Sequence, residues 1–509
     1  MNTKHWTTMQ YVLAGAAAIC GYSALLLGQR IAALYYTLFV PAAVLAALAY
    51  RAYSRTRRLK ALAHLRDRWG KEMPIPRSID EHARAYFDSA VKPEEVVDDR
   101  TWKDLNMDEV FGRMDRTLTY PGRQVLYRML RIPFLEHTGA LQKRAAVIRL
   151  FQQDKAIRED VQLAFGKLGD KGKHHLAALL WTEMGLRQPR LRHLYTFMYA
   201  AALVSPAAVL LGRWGIQVIL AVFFTNMAVH YSEQKRNRGH FEAVKAVAAL
   251  IRCGEALCRT ERDWGPLRSM VTELREVIPK VRGFARAAAQ VDVESSDPFL
   301  GTLLQYGSIF FLTEVRGFSR AVMFVIQRRN ELQRLFEIVG EIDACQAVAS
   351  YRESLRYYCE PELREDAEFE LEAAYHPLVQ DPVPNSIKPL KNCVLVTGSN
   401  MSGKSTFLRT VGLSALLAQT VYTVCAETYR ARPMRLITSI GRADNVVEGK
   451  SYYLEEALAV LRVLQVLDSR RHLMCIFDEL YRGTNSEERI TAAYRVVKYI
   501  AKHNALVFV

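Results

Sequence analysis

Gly398-Ser-Asn-Met-Ser-Gly403-Lys404-Ser405 decides the reading of this chain. It fits G-x-x-x-x-G-K-S/T at every fixed position. An apolar run, Cys393 to Thr397, precedes it, and a helical run opens at Thr406. That is the strand–loop–helix setting in which such a loop cradles phosphate. Gly398 and Gly403 let backbone pass close to phosphate oxygens. The N–H groups of Ser399, Asn400, Met401, Ser402 and Thr406 then face the anion at a helix N-terminus. Lys404 is placed to reach the β- and γ-phosphates, and the Ser405 hydroxyl to ligate Mg²⁺.

A metal-side carboxylate is expected after a second strand. Leu473-Met-Cys-Ile-Phe477 is apolar and ends in Asp478-Glu479. Asp478 is assigned to the Mg²⁺ shell. Glu479 is assigned as the base that polarises the attacking water, with Lys404 stabilising phosphate charge. The expected cofactors are ATP and Mg²⁺. Around this site, short β-branched runs alternate with helical stretches from about residue 366, predicting a parallel sheet with crossover helices.

Outward from the loop, five ordered segments resemble the ATPase domain of the MutS DNA mismatch-repair family. The loop reads TGSNMSGKST, close to the family's TGPNMGGKST. His376-Pro377 resembles the entry to that domain, which implies a nucleotide-binding role for His376. Ser439-Ile-Gly-Arg-Ala-Asp444, Gly449-Lys450-Ser451 and Asp478-Glu-Leu-Tyr-Arg-Gly483-Thr484 resemble three further signatures. Upstream, Met114 to Arg123 resembles the opening of the family's helical core, and Glu341 to Val348 the end of its lever helix. The resemblance implies that Ser451 closes over the γ-phosphate of a second subunit, hence a homodimer with composite sites. There are departures. Tyr452 and Tyr453 stand where Thr and Phe are usual, Tyr481 replaces a Gly, and Val383 stands where an aromatic is common. We find neither the mispair-reading wedge nor a clamp, and expect an ATPase domain that is C-terminally incomplete.

The rest of the chain departs further. Met9 to Leu27 and Ile31 to Tyr50 carry no charge. Each run is about 20 residues, enough to cross a hydrocarbon core as a helix. Leu194 to Leu211 and Ile216 to Tyr231 form a second uncharged pair. Arg51, Arg55, Arg57, Arg58 and Lys60 follow the first pair, and Lys235, Arg236 and Arg238 the second, whereas the short turns hold Arg30 and Arg213. The positive-inside rule puts both termini and the ATPase in the cytosol of a multi-pass cell-membrane protein with four transmembrane helices. Part of the net charge of +16 is therefore a topology signal. The remainder leaves DNA as a partner. Half of the residues are hydrophobic, which excludes a disordered chain, and the eight cysteines are scattered without a C-x-x-C pair, which argues against a zinc or disulfide framework.

The expected fold is multidomain: transmembrane hairpins, an all-α MutS-like core and lever, and an α/β P-loop ATPase domain. The expected boundaries are a first hairpin at 1–53, a core-like region at 54–193, a second hairpin at 194–231, a lever-like region at 232–365 and the ATPase domain at 366–509. The expected function is a membrane-anchored MutS-like ATPase acting on DNA or a mismatch-repair-related complex. The alternative is an ATP-driven membrane switch acting on a protein or membrane partner. An ABC transporter subunit fits less well, because the signature is not L-S-G-G-Q.

Overall fold

The computed structural model describes residues 3–72, 76–136, 138–166, 168, 176–182, 192–260, 262–288, 298–399, 402–440, 452–467, 471–481 and 486–509. The chain forms two units, Met1–Lys71 with Ala156–Leu163, and Glu72–Lys155 with Ala164–Val509.

In the first unit, helix Thr3–Arg30 and helix Phe39–Arg68 are joined by the 3₁₀ turn Ala33–Leu38. The first helix and the opening half of the second are apolar on nearly all sides, with Tyr11, Ile19, Val40 and Val44 largely exposed. A helix that shows apolar side chains all round is suited to lipid. The second helix runs on as a charged helix, because Arg, Lys, Ala and Leu all favour helix. Arg66 Nε there meets Glu159 Oε1 at 2.6 Å, and the Arg55 guanidinium lies 4.4 Å from the Trp6 ring centre. Among the described residues, four helical stretches are long and apolar enough to cross a membrane: His5–Arg30, Ala33–Arg68, His193–Leu210 and Trp214–Arg236.

The larger unit is mostly helical. Its core centres on helix Tyr120–Arg131 against helix Arg329–Arg352. These carry the two upstream segments that the sequence flagged separately, and here they meet. Thr119 caps the first helix, its side chain accepting from Gly122 N–H, with Pro121 in the first turn. The fully buried Asp343 carboxylate accepts from Thr119 N–H (2.7 Å), Thr119 Oγ1 (2.6 Å), Leu118 N–H (3.0 Å) and Gln346 Nε2 (3.0 Å). Gly122 is required here: a Cβ would lie 2.2 Å from Asp343 Oδ2. Residues 238–288 and 313–352 are each divided among shorter helices. The first falls into Arg238–Arg259, Arg268–Val281 and Gly283–Ala288, the second into Thr313–Gln327 and Arg329–Arg352.

Among the described residues eight strands follow: β1 Glu362–Leu363, β2 Glu370–Ala374, β3 Asn385–Ile387, β4 Cys393–Val394, β5 Thr428–Ala431, β6 Arg435–Ser439, β7 Leu473–Phe477 and β8 Ala505–Phe508. The expected parallel sheet is present, in the order β4-β8-β7-β6. Every residue of β7 is buried, as in a strand covered on both faces. β4 is shorter than the expected Cys393–Thr397. It lies at the sheet edge and pairs only with β8, although Val396 N–H still bonds Val509 O at 2.7 Å. A second, mixed sheet, β1-β5-β2-β3, was not expected. Its strands are short and largely polar, so they carry no apolar run.

Candidate functional site

The parallel sheet aligns the C-terminal ends of β4 and β7, with β8 between them. In open α/β sheets that edge is where ligands bind. The phosphate loop leaves β4 there, and Asp478 ends β7 there. Gly403 has φ +90 and precedes helix Lys404–Thr420. A side chain would be strained at that φ, so the glycine lets the loop turn tightly into the helix. Gly398, Ser399, Ser402 and Thr406 are exposed along the loop, while Lys404 and Ser405 are half-buried. The Lys404 ammonium donates to Gly398 O and Ser399 O, each at 2.8 Å. The ammonium is thus held inside the curve of the loop.

The deciding contact joins the two motifs. Ser405 Oγ donates to Asp478 Oδ2 at 2.6 Å. Asp478 is fixed in turn by its N–H bond to Ser439 O of β6, at 2.9 Å. A hydroxyl and a carboxylate oxygen brought together beside a phosphate loop fit Mg²⁺, which takes one or two protein oxygens and completes its shell with phosphate and water. Glu479 follows, half-buried, with φ +59. Tyr481 has φ +57 and is buried in the apolar cluster of β7, β8 and helix Ser486–Ala501. The position that resembles a family glycine thus has the backbone a glycine prefers.

Residues 394–509 match the family profile described as MutS domain V. A MutS domain V is present. The DNA mismatch repair protein MutS of Staphylococcus saprophyticus is 33% identical over 181 residues, covering 34% of this chain and 20% of that protein. The Thermus aquaticus protein of the same name is 26% identical over 446 residues, covering 78% of this chain and 52% of that protein. The chain therefore spans about half, or less, of the curated relatives it matches. These similarities support membership of the MutS family.

His376 lies upstream of the matched residues 394–509. His376 is buried and lies near Arg409 and Arg113, on the side facing the helical core. Its Nδ1 accepts from Leu378 N–H at 3.3 Å, the turn-capping role. Burial, reinforced by Arg409 and Arg113, pushes it down to about 4, so the ring is neutral at neutral pH. Its Nε2 is buried and makes no hydrogen bond among the described residues. Asn400, Met401, Ser451, Gly449, Lys450, Arg482, Gly483 and Thr484 lie outside the described residues.

One supporting residue was missed from sequence. Asp104 ends helix Asp99–Asp104, and burial raises its carboxyl above the usual range. It accepts from Thr438 Oγ1 and Ile440 N–H, both at 2.9 Å, while its carbonyl accepts from Arg409 Nε at 2.9 Å. The helical core thereby grips both β6 and the phosphate-loop helix. Arg462 adds bonds to Asp98 Oδ1 (3.0 Å) and Thr438 O (2.8 Å). No motif marks Asp104; its importance arises from packing.

Proposed function

We propose that this chain is a membrane-anchored MutS-like ATPase that binds and hydrolyses Mg·ATP in composite sites of a homodimer and acts on DNA or a mismatch-repair-related complex. The observation that carries the reading is the 2.6 Å contact between Ser405 and Asp478, which brings the phosphate-loop hydroxyl and the strand-end carboxylate to one point. In this mechanism Lys404 neutralises developing charge on the phosphates. Ser405 and Asp478 hold Mg²⁺, which when bound draws charge from the phosphate oxygens. Glu479 takes the proton of the attacking water. Gly398 to Thr406 supply the phosphate cradle. Ser451 of one subunit closes over the γ-phosphate held by the other, and the neutral His376 braces the entry to the domain.

The four apolar helices found among the described residues support membrane anchoring, and the Arg-rich flanks support a cytosolic ATPase. A second reading has its own support. Helix Thr313–Gln327 packs against helix Arg192–Val204 of the second hairpin and leads directly into helix Arg329–Arg352. That continuity suits an ATP-driven switch acting on a membrane or protein partner. Both readings share the composite site. Mixing Ser451→Arg chains with Lys404→Ala chains should restore about one working site per mixed dimer, since each lesion falls in a different half of a site. A mixture with no more ATPase activity than the separate variants would refute the composite site.

A further inference from the structure

Helix Lys404–Thr420 starts at the nucleotide site and ends far from it. Its 17 residues span about 25 Å, at about 1.5 Å per residue. Lys404 and Ser405 open its first turn, and the stretch from Thr410 to Thr420 is buried. A helix packed this closely moves as a rod. What holds its far end therefore helps to set where Lys404 and Ser405 stand.

That far end is tied to two other helices by arginines. Arg144 of helix Thr138–Gln153 donates from Nη1 to Thr420 O at 2.7 Å. Arg352, the last residue of helix Arg329–Arg352, donates from Nη2 to Tyr422 O at 2.6 Å and from Nε to Thr423 Oγ1 at 2.8 Å. Thr423 Oγ1 donates in turn to Val421 O at 2.9 Å. Tyr422 has φ +53, the left-handed backbone that usually falls to glycine after a helix. The Arg352 side chain is fully buried, and its remaining nitrogen, Nη1, reaches Glu360 Oε1 at 2.9 Å. Cations suit a helix C-terminus, where the last carbonyls carry partial negative charge. A planar guanidinium that meets the segment at two points fixes direction as well as distance.

We propose that Arg352, together with Arg144, is a positioning residue for ATP turnover. It locks the C-terminal end of the phosphate-loop helix to the end of helix Arg329–Arg352, so that the two helices shift together. The proposal rests on the Mg·ATP reading of Lys404, Ser405 and Asp478. Asp104 grips the same helix nearer its start, through Arg409, so the rod is anchored at both ends. The tie also gives the nucleotide site a route to the second hairpin. Helix Thr313–Gln327 packs against helix Arg192–Val204 and leads into helix Arg329–Arg352.

The test uses the full chain and measures Mg·ATP affinity, kcat, and hydrogen exchange of residues 329–352 with and without ATP. Arg352→Gln should keep ATP affinity within about three-fold while kcat falls about ten-fold or more, since a misplacement of about 1 Å can cost about 100-fold. ATP should alter exchange of residues 329–352 in the parent and not in Arg352→Gln. Arg352→Lys should recover part of kcat, because it restores one donor and the charge without the fork. Arg144→Gln, on a different helix, should also lower kcat more than affinity. A parental kcat and exchange response in Arg352→Gln with native thermal unfolding would overturn the proposal. So would equal losses of affinity and kcat that Arg352→Lys does not relieve, the mark of a merely structural role. Should Arg352→Gln not fold, parental kcat and exchange response in Arg144→Gln would overturn it equally. A parent chain that binds no ATP refutes the Mg·ATP reading, and this proposal falls with it; the other failures are read in the variants alone, so the two are told apart.

Discussion

Glu479 and Tyr481 both adopt left-handed backbone, with φ +59 and +57, in the turn that leaves β7. A non-glycine residue there costs roughly 1 kcal/mol or more, and such strain gathers at functional sites. The buried Tyr481 side chain offsets part of that cost through packing. Glu479 directly follows Asp478 at the end of β7. Glu479→Gln should therefore keep ATP binding while hydrolysis falls by about 100-fold or more, because the amide cannot accept the water's proton. Turnover at the parental rate would remove Glu479 from the role of base. At this scale the site was legible, since phosphate and metal chemistry dictate residue types at short spacing. Lys404, Ser405 and Asp478 needed only a strand on each side to be assigned. His376 was less legible: its burial beside two arginines belongs to tertiary packing, which no local motif reports.

Helix Tyr120–Arg131 and helix Arg329–Arg352 show what holds elements together. Their junction is a carboxylate set among donors, at a spot where Gly122 leaves no room for a Cβ. Burial pushes Asp343 up to about 6, against the pull of its hydrogen bonds. The folded protein thus holds a proton there between about pH 4 and 6, where the unfolded chain has released it. Stability is lost as pH rises through that window, by up to about 3 kcal/mol from this group. The melting temperature of the parent should fall relative to Asp343→Asn between pH 4 and 6, and the gap should level off above pH 6. Parallel profiles would show that Asp343 does not titrate in that range. The sequence presented both segments of this junction as separate resemblances and gave no sign of their contact. Strand β7 was legible in full because its burial makes it uniformly apolar. The mixed sheet was not, because strands as short and polar as β1 and β3 owe their existence to their neighbours.

For the whole molecule, membrane topology is the open quantity that charge predicts most simply. Under the proposed membrane reading, Arg-rich flanks and sparse turns predict Gln29 and Trp214 outside and Ser54 inside. An impermeant maleimide applied to intact cells should label a cysteine at Gln29 or Trp214 and spare one at Ser54; labelling at Ser54 would reverse the topology. The apolar runs were legible as single segments, whereas the second hairpin's packing against helix Thr313–Gln327 is a long-range contact that no periodicity encodes. The central claim is that Lys404, Ser405 and Asp478 build one Mg·ATP site. Its most direct test is equilibrium binding of ATP to the full chain, with Mg²⁺ and with chelator, for the parent, Lys404→Ala and Asp478→Asn. The parent should bind more tightly with Mg²⁺. Lys404→Ala should lose about ten-fold or more in affinity, and Asp478→Asn should lose most of the Mg²⁺ dependence. ATP affinity that is the same in all three chains and indifferent to Mg²⁺ would contradict the account.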